Sequence, residues 1–348
     1  MKTKLTELIP MLQKGRSELP ASKHLMALSA LPADQRRALQ EAWPSIPVGS
    51  RRSLMSTLAA MAELDVDANF GAVFRLALED GDEAVRLAAL EGLWEDEDEM
   101  LVPSLVRLMN ADPSTDVRAA AAVSLGRFAM VGELEELNPK MTAIVREALL
   151  AAIHSQEQDM EVRRRALESV SCMSGDNISD LIRAAYRDKD ERMTVSALFA
   201  MGRSLDDMWA PDVLRELKNA RPEIRFEAAR SAGELELTDA VPTLLEMLYD
   251  PESEVRDAAI EALGNIGGER ALQALAELAK SDNESIRHAA LEALEIARFN
   301  EDPLAPEVLS WLFEREAAER GSEDDDWDDD WDDDGDEDDD LEGEDKED

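Results

Sequence analysis

DPESEVRDAAIEALG, residues 250–264, is one version of a segment that the chain carries seven times. Its last twelve residues align without gaps with EAVRLAALEGLW (83–94), TDVRAAAAVSLG (115–126), MEVRRRALESVS (160–171), ERMTVSALFAMG (191–202), PEIRFEAARSAG (222–233) and ESIRHAALEALE (284–295). With Arg256 as anchor, the equivalent residues are Arg86, Arg118, Arg163, Thr194, Arg225 and Arg287. Successive anchors are separated by 32, 45, 31, 31, 31 and 31 residues. A fixed period in this range is the mark of a repeat architecture.

The columns of the alignment carry physical content. One residue before the anchor stand Val85, Val117, Val162, Met193, Ile224, Val255 and Ile286. Four after it stand Leu90, Ala122, Leu167, Leu198, Ala229, Ile260 and Leu291, and seven after it Leu93, Leu125, Val170, Met201, Ala232, Leu263 and Leu294. These offsets trace one apolar face of a helix. Three after the anchor every copy has Ala, which lets a neighbouring helix approach. Eight after it Gly126, Gly202, Gly233 and Gly264 are expected to end the helix as left-handed residues.

A second amphipathic segment precedes each copy, as in VPSLVRLM (102–109), ISDLIRAA (178–185), VPTLLEML (241–248) and LQALAELA (272–279). Each unit is therefore a helix pair. The joint carries Asp112-Pro113 and Asp250-Pro251, read as an N-cap followed by Pro at the first helical position, with Asp80, Asp188 and Asn219 in register. A pair of this size cannot bury its apolar face alone, so the pairs must stack. The expected fold is all-α: an α-solenoid, a superhelical stack of antiparallel helix pairs. The longer interval, with NPKMTAIVREALLAAIHSQEQ (138–158), is expected to hold one lengthened first helix projecting from the stack.

On these residues the chain resembles HEAT repeats, and the 31-residue spacing with D-P-x-x-x-V-R-x-A-A-x-x-A-L-G resembles the HEAT-like repeats of phycobilisome lyases. The resemblance spans residues 66–298. It implies that the joint aspartates and the anchor arginines form a hydrogen-bonding ladder between repeats, made here by Asp80, Arg86, Asp112, Arg118, Arg163, Arg225, Asp250, Arg256 and Arg287. Thr194 leaves the Arg column, and Glu157, Asn219 and Ser281 leave the Asp column, so the ladder is expected to weaken near the middle.

The ends differ from the repeats. Residues 1–64 read as a helical N-terminal cap followed by a degenerate first repeat, in which Arg51, Leu54, Met55 and Leu58 fit the anchor, +3, +4 and +7 offsets. Repeats occupy 65–298 and a capping helix 299–321, built on PEVLSWLFEREAAER. Residues 322–348 read as a disordered acidic tail, because 20 acids and one Lys among residues 323–348 offer too little apolar surface to offset ordering. Six Asp and Gly residues of the tail, Asp330 to Asp338, fit part of a calcium-loop spacing. Leu341 stands where the bidentate Glu belongs, so no metal site is expected.

The 348 residues hold 79 acids against 37 Lys and Arg, a formal charge of −42, which argues against direct binding of nucleic acid or an anionic membrane. The opening residues lack a signal-type apolar run and no 18-residue apolar stretch occurs. The single Cys172 forms no intrachain disulfide. A cytoplasmic monomer is expected, with no membrane contact. His24, His154 and His288 lie in separate units, and no phosphate-cradling glycine motif or nucleophile motif is present, so neither catalysis nor a cofactor is expected.

Function is left to the faces that stacking does not consume. The +5 column reads Glu91, Val123, Glu168, Phe199, Arg230, Glu261 and Glu292. Phe199 and Arg230 interrupt an acidic row and form a candidate partner site on the concave face, which Trp94 and Trp209 could join. Trp327 and Trp331 are candidate anchors in the tail. The expected function is a non-enzymatic scaffold that holds a basic protein partner, with the tail attracting that partner or folding back on the basic N-terminal cap. The alternatives are bilin lyase-like or chaperone activity on a chromoprotein, implied by the resemblance, and nucleic-acid mimicry by the tail.

Overall fold

Seven apolar stripes that need covering fold into a layered stack of helices. The computed structural model describes residues 4–14, 19–65 and 68–301, apart from the side chains of 176 and 301. These residues hold 18 α-helices and, among them, no strand. After α1 (Leu5–Gln13) and the single turn α2 (Ser22–Leu25), the chain forms helix pairs. They are α3 (Ala33–Ala42) with α4 (Val48–Leu64), α5 (Gly71–Ala77) with α6 (Glu83–Glu91), and α7 (Val102–Ala111) with α8 (Thr115–Glu133). There follow α9 (Pro139–His154) with α10 (Met160–Val170), α11 (Asp176–Tyr186) with α12 (Glu191–Arg203), and α13 (Ala210–Glu216) with α14 (Pro222–Glu234). The last are α15 (Val241–Met247) with α16 (Ser253–Ile266), and α17 (Glu269–Leu278) with α18 (Glu284–Glu301). No described helix is long and apolar enough to cross a membrane.

Each second helix packs on its own first helix and on the next second helix, from α6 through α18. The −1, +3, +4 and +7 columns are buried from α6 to α16. In α18 the +4 residue, Leu291, is 46% exposed, because no further described helix follows to cover it. The first helices supply Val73 and Phe74, Leu105 and Leu108, Val145 and Leu149, Ile178 and Ile182, Leu244 and Met247, and Leu275 to the same core. Proline at the start of α7, α9, α13 and α15 sits where a helical N–H has no partner to lose.

The structure corrects four expectations. The first concerns the joints: Asp112 and Asp250 are not N-caps. Helix α8 starts at Thr115 with Ser114 as N-cap, and α16 starts at Ser253 after Glu252. The joint residue instead makes a turn, its side-chain oxygen accepting from the amide two residues on: Asp82 for Asp80, Ser114 for Asp112, Asp190 for Asp188, Arg221 for Asn219 and Glu252 for Asp250. This is the Asx-turn use of the same short polar side chain.

Second, the +8 glycines lie inside their helices. The left-handed residues come later, at Glu135, Leu205 and Glu236. The glycines serve close approach: a Cβ built on Gly233 would lie 2.9 Å from the Ala262 Cα, and one on Gly264 2.8 Å from the Ala293 carbonyl oxygen. Because the clash is with backbone, overpacking at the upper end of about 1–3 kcal/mol outweighs the roughly 1 kcal/mol that alanine gains in a helix interior, and Gly264→Ala is expected to be less stable by about 1–2 kcal/mol net. Urea denaturation followed by circular dichroism checks this, and an unchanged midpoint contradicts it.

Third, the extra residues of the long interval are shared between α8 and α9, which lengthen together. Gly132 near the end of α8 faces Thr142 of α9, so the extension is a packed hairpin and not one projecting helix. Fourth, α18 runs on to Glu301, so residues 299–301 belong to the last repeat and not to a separate cap. The remainder of that cap and the acidic tail with Trp327 and Trp331 lie outside the described residues.

Candidate partner-binding face

The anchor arginines are engaged within the stack, and two of them tie one repeat to the next through a carboxylate. Arg86 is buried, donating Nη1 to the Asp80 carbonyl in its own joint (2.8 Å) and Nε and Nη2 to both carboxylate oxygens of Asp112 in the next (2.7 Å each). Arg225 repeats this with Asn219 O at 3.0 Å and Asp250 at 2.8 Å. Arg51 reaches Asp80 at 2.6 Å, where the Trp43 indole N–H also donates.

The other rungs are incomplete. Arg118 bonds the Asp112 carbonyl and then Gln158, a neutral acceptor. Arg163 donates to the Ile153 carbonyl. Among the described residues Arg256 and Arg287 bond only carbonyls of their own joint, those of Asp250 and Pro251 and of Ser281. Among the described residues the carboxylate rungs thus stand at both sides of a middle stretch that lacks them.

The remaining face of the second helices is set by the +1, +2 and +5 positions. In α10 and α12 it is a closed ionic network. Arg164 bonds Glu161 (2.7 Å), Ser196 Oγ (2.9 Å) and the Arg192 carbonyl (3.0 Å), while Arg165 bonds Glu161 and Glu168 at 2.9 Å each. Ser196 donates to Glu168 at 2.5 Å.

Phe199 and Arg230 do meet. The guanidinium lies 5.7 Å from the Phe199 ring centre and 5.9 Å from that of Phe226, within cation–π range. It also faces Glu227 at 3.5 Å and Glu234 at 3.7 Å, so its charge is answered within the chain. Glu227 is only 6% exposed, and burial pushes its carboxyl up to about 7, with Arg230 opposing and Glu168, Glu234 and Glu261 reinforcing the rise. Glu234 is raised for the same first cause.

The two candidate tryptophans part company. Trp209 is 1% exposed beneath Arg183, 5.3 Å from its ring centre, so it is core and not a contact residue. It ends a 3₁₀ turn that leads directly into α13, and this draws it inward. Trp94 is 64% exposed. Phe226 and Glu227 were missed, although a signal existed. The +2 column reads Ala88, Ala120, Arg165, Ser196, Glu227, Ala258 and Ala289, and a glutamate among mostly small residues is anomalous. Cys172 is half-buried, and burial pushes its thiol up, away from the reactive thiolate form. Among the described residues no three His, Cys, Asp or Glu side chains are grouped so as to hold a metal ion.

The model of the HEAT-repeat family matches residues 72–149 and 210–295. No curated protein matches the sequence. Among solved structures the chain is similar to human deoxyhypusine hydroxylase in complex with glycerol, at 20% identity over 76% of this chain and 96% of that one, with a TM-score of 0.34. It is similar to the complex of CpcE and CpcF of phycocyanin lyase from Nostoc sp. PCC7120, at 19% identity over 56% and 76%, with a TM-score of 0.41. It is also similar to importin beta, at 14% identity over 84% and 46%, with a TM-score of 0.43.

Proposed function

We propose that this chain, built from HEAT repeats, is a non-enzymatic, cytoplasmic scaffold that holds a basic protein on the open face of its second helices. The observation that carries this is the division of labour among its side chains. The anchor column and the small residues are spent mainly on stacking, whereas the +1 and +5 positions of the second helices leave Val123, Glu91, Asp257 and Glu261 exposed, with Asp116 at −2 and Trp94 just past the end of α6 exposed beside them. Such a surface, apolar in patches and acidic around them, suits a partner rich in Lys and Arg. The acidic residues of 322–348 add attraction reaching about one Debye length, ~10 Å at 0.1 M salt.

The test is affinity capture with the full chain and with a chain ending at 321, followed by carboxyl-to-amine crosslinking. Capture of Lys- and Arg-rich proteins is expected to fall several-fold without the tail. Crosslinks are expected at Asp116, Asp257 and Glu261 and not at first-helix acids such as Glu147, Asp180, Glu246 and Glu277. Capture unchanged by the deletion removes the tail from the mechanism, and crosslinks on the first helices remove the face.

A further inference from the structure

We propose that a groove between α6, α8 and α10 is the seat of a short amphipathic segment whose apolar face is bordered by lysine or arginine. This rests on the reading that the second-helix face holds a basic protein, and it moves the anchor site from the middle of the array towards its N-terminal third.

The groove has a structural cause. Helix α6 stops at Glu91 after nine residues, while α8, α10, α12, α14 and α16 run for 11 to 19. The chain turns away at Gly92, which sits so close to the Phe74 ring that a Cβ there would lie 2.5 Å from it. The position that in α8, α12, α14 and α16 carries a close-packing glycine is here Trp94, beyond the helix end. On its α6 side, helix α8 thereby has no helix beside its later turns, although α9 and α10 still pack against its other sides. The space left, about 530 Å³, is lined by Leu87, Leu90, Trp94, Ala119 and Val123. Trp94 is 64% and Val123 52% exposed, so their apolar surface is uncovered in the free chain. Such a patch on an otherwise charged layer marks an interaction site.

Charge selects the occupant. Two arginines also line the groove, and both are already engaged by the chain, though the Arg127 Nε has no partner among the described residues. Arg165 is held by Glu161 and Glu168, and Arg127 donates to the Asp96 carbonyl at 2.6 Å and lies in the field of Glu95, Asp96 and Glu97. Glu91 and Asp116, on opposite walls, are exposed and make no ion pair among the described residues. A cation set beside an apolar anchor would meet these two carboxylates and the face of the Trp94 indole, the best of the aromatic platforms for a cation. The volume suits a few side chains of one helix face, the helix-in-groove mode of recognition.

The test uses the full chain and two fluorescent 14-residue amphipathic peptides, one of Leu and Lys and one of Leu and Glu in place of Lys. Anisotropy is read at about 0.3 M salt, where a Debye length of roughly 6 Å screens attraction by the tail. The Leu/Lys peptide is expected to bind at least ten-fold more tightly than the Leu/Glu peptide. Trp94→Ala and Val123→Glu, both at exposed positions, are expected to weaken it at least ten-fold with unchanged circular dichroism, and Glu91→Lys with Asp116→Lys to reverse the preference. Equal affinity for both peptides, no binding by the wild-type chain, or variants within two-fold of wild type overturn the proposal. If Phe199→Ala abolishes binding while Trp94→Ala does not, the groove is overturned and the scaffold reading stands. The crosslinks described above test that reading separately.

Discussion

Asp112→Ala is expected to cost the folded chain about 3–5 kcal/mol, because it strands a buried guanidinium. The Arg86 and Asp112 side chains are 7% and 4% exposed, and the carboxylate accepts both Nε and Nη2. Without it Arg86 keeps only the Asp80 carbonyl, and the Ser114 amide loses its turn acceptor as well. Taking a charge out of water is tolerable only while a partner meets it, so removing one member costs far more than the pair contributes. The double variant Arg86→Met with Asp112→Asn removes both charges and keeps an acceptor for Ser114. It is expected to return to within about 1–2 kcal/mol of wild type, a strongly non-additive cycle. Urea unfolding of wild type, Arg86→Met, Asp112→Asn and their combination closes the cycle, with Asp112→Ala measured beside them, and an Asp112→Ala protein within about 1 kcal/mol of wild type would sink the idea.

The same rung shows why so much of the stack was legible in the sequence. A repeat must present the same apolar offsets to each neighbour, so Val85, Ala89, Leu90 and Leu93 could be read as core and are buried. Side chains with two uses were harder. Asp112 has the chemistry of an N-cap and of an Asx turn, and only backbone geometry separates them. Gly233 suits a helix end and equally a close helix contact, and the distance to Ala262 selects the second. Trp94 and Trp209 both stand near acidic residues at a helix boundary, Trp94 before the run 95–99 and Trp209 after Asp206 and Asp207. One lies past a helix that stops early and the other leads into α13, which a one-dimensional pattern does not reveal. Phe199 and Arg230 were found because the +5 column isolates them. That Arg230 is already engaged by Glu227 and Glu234 depends on side-chain reach, which spacing does not encode.

Glu227 makes the chain less stable as pH rises from about 4.5 to 7 and beyond. An unfolded glutamate titrates near 4.5, whereas burial holds the native Glu227 near 7, so across that interval the native state binds a proton the unfolded state has released. A rise of this size corresponds to about 3 kcal/mol of stability, fully present below about pH 4.5 and lost progressively as pH climbs through about 7. Glu234 acts in the same sense. Asp82, Asp190 and Asp250 act in the opposite one, held below their usual values first by hydrogen bonds from Arg52, Arg192 and Arg225. Their stabilisation is lost only on acidification below about 4, outside this window. The charges that act most on Glu227 are Arg230 and Glu234 on α14, Glu168 on α10 and Glu261 on α16, with Arg203 beside Glu234 and Arg165 already paired with Glu168. Three of the first four are acids, so the nearest charges add to the effect of burial more than they oppose it. The wild-type chain is therefore expected to be more stable at pH 5 than at pH 8 by about 3 kcal/mol. Glu227→Gln, which keeps the shape but cannot ionise, is expected to flatten the profile and to raise stability at pH 8. Urea midpoints at half-unit pH steps measure both. A wild-type profile level between pH 5 and 8, or a Gln variant with the original slope, would show that the buried carboxyl is neutralised in some other way. If the slope instead vanishes in Glu234→Gln, the proton belongs to the neighbouring acid.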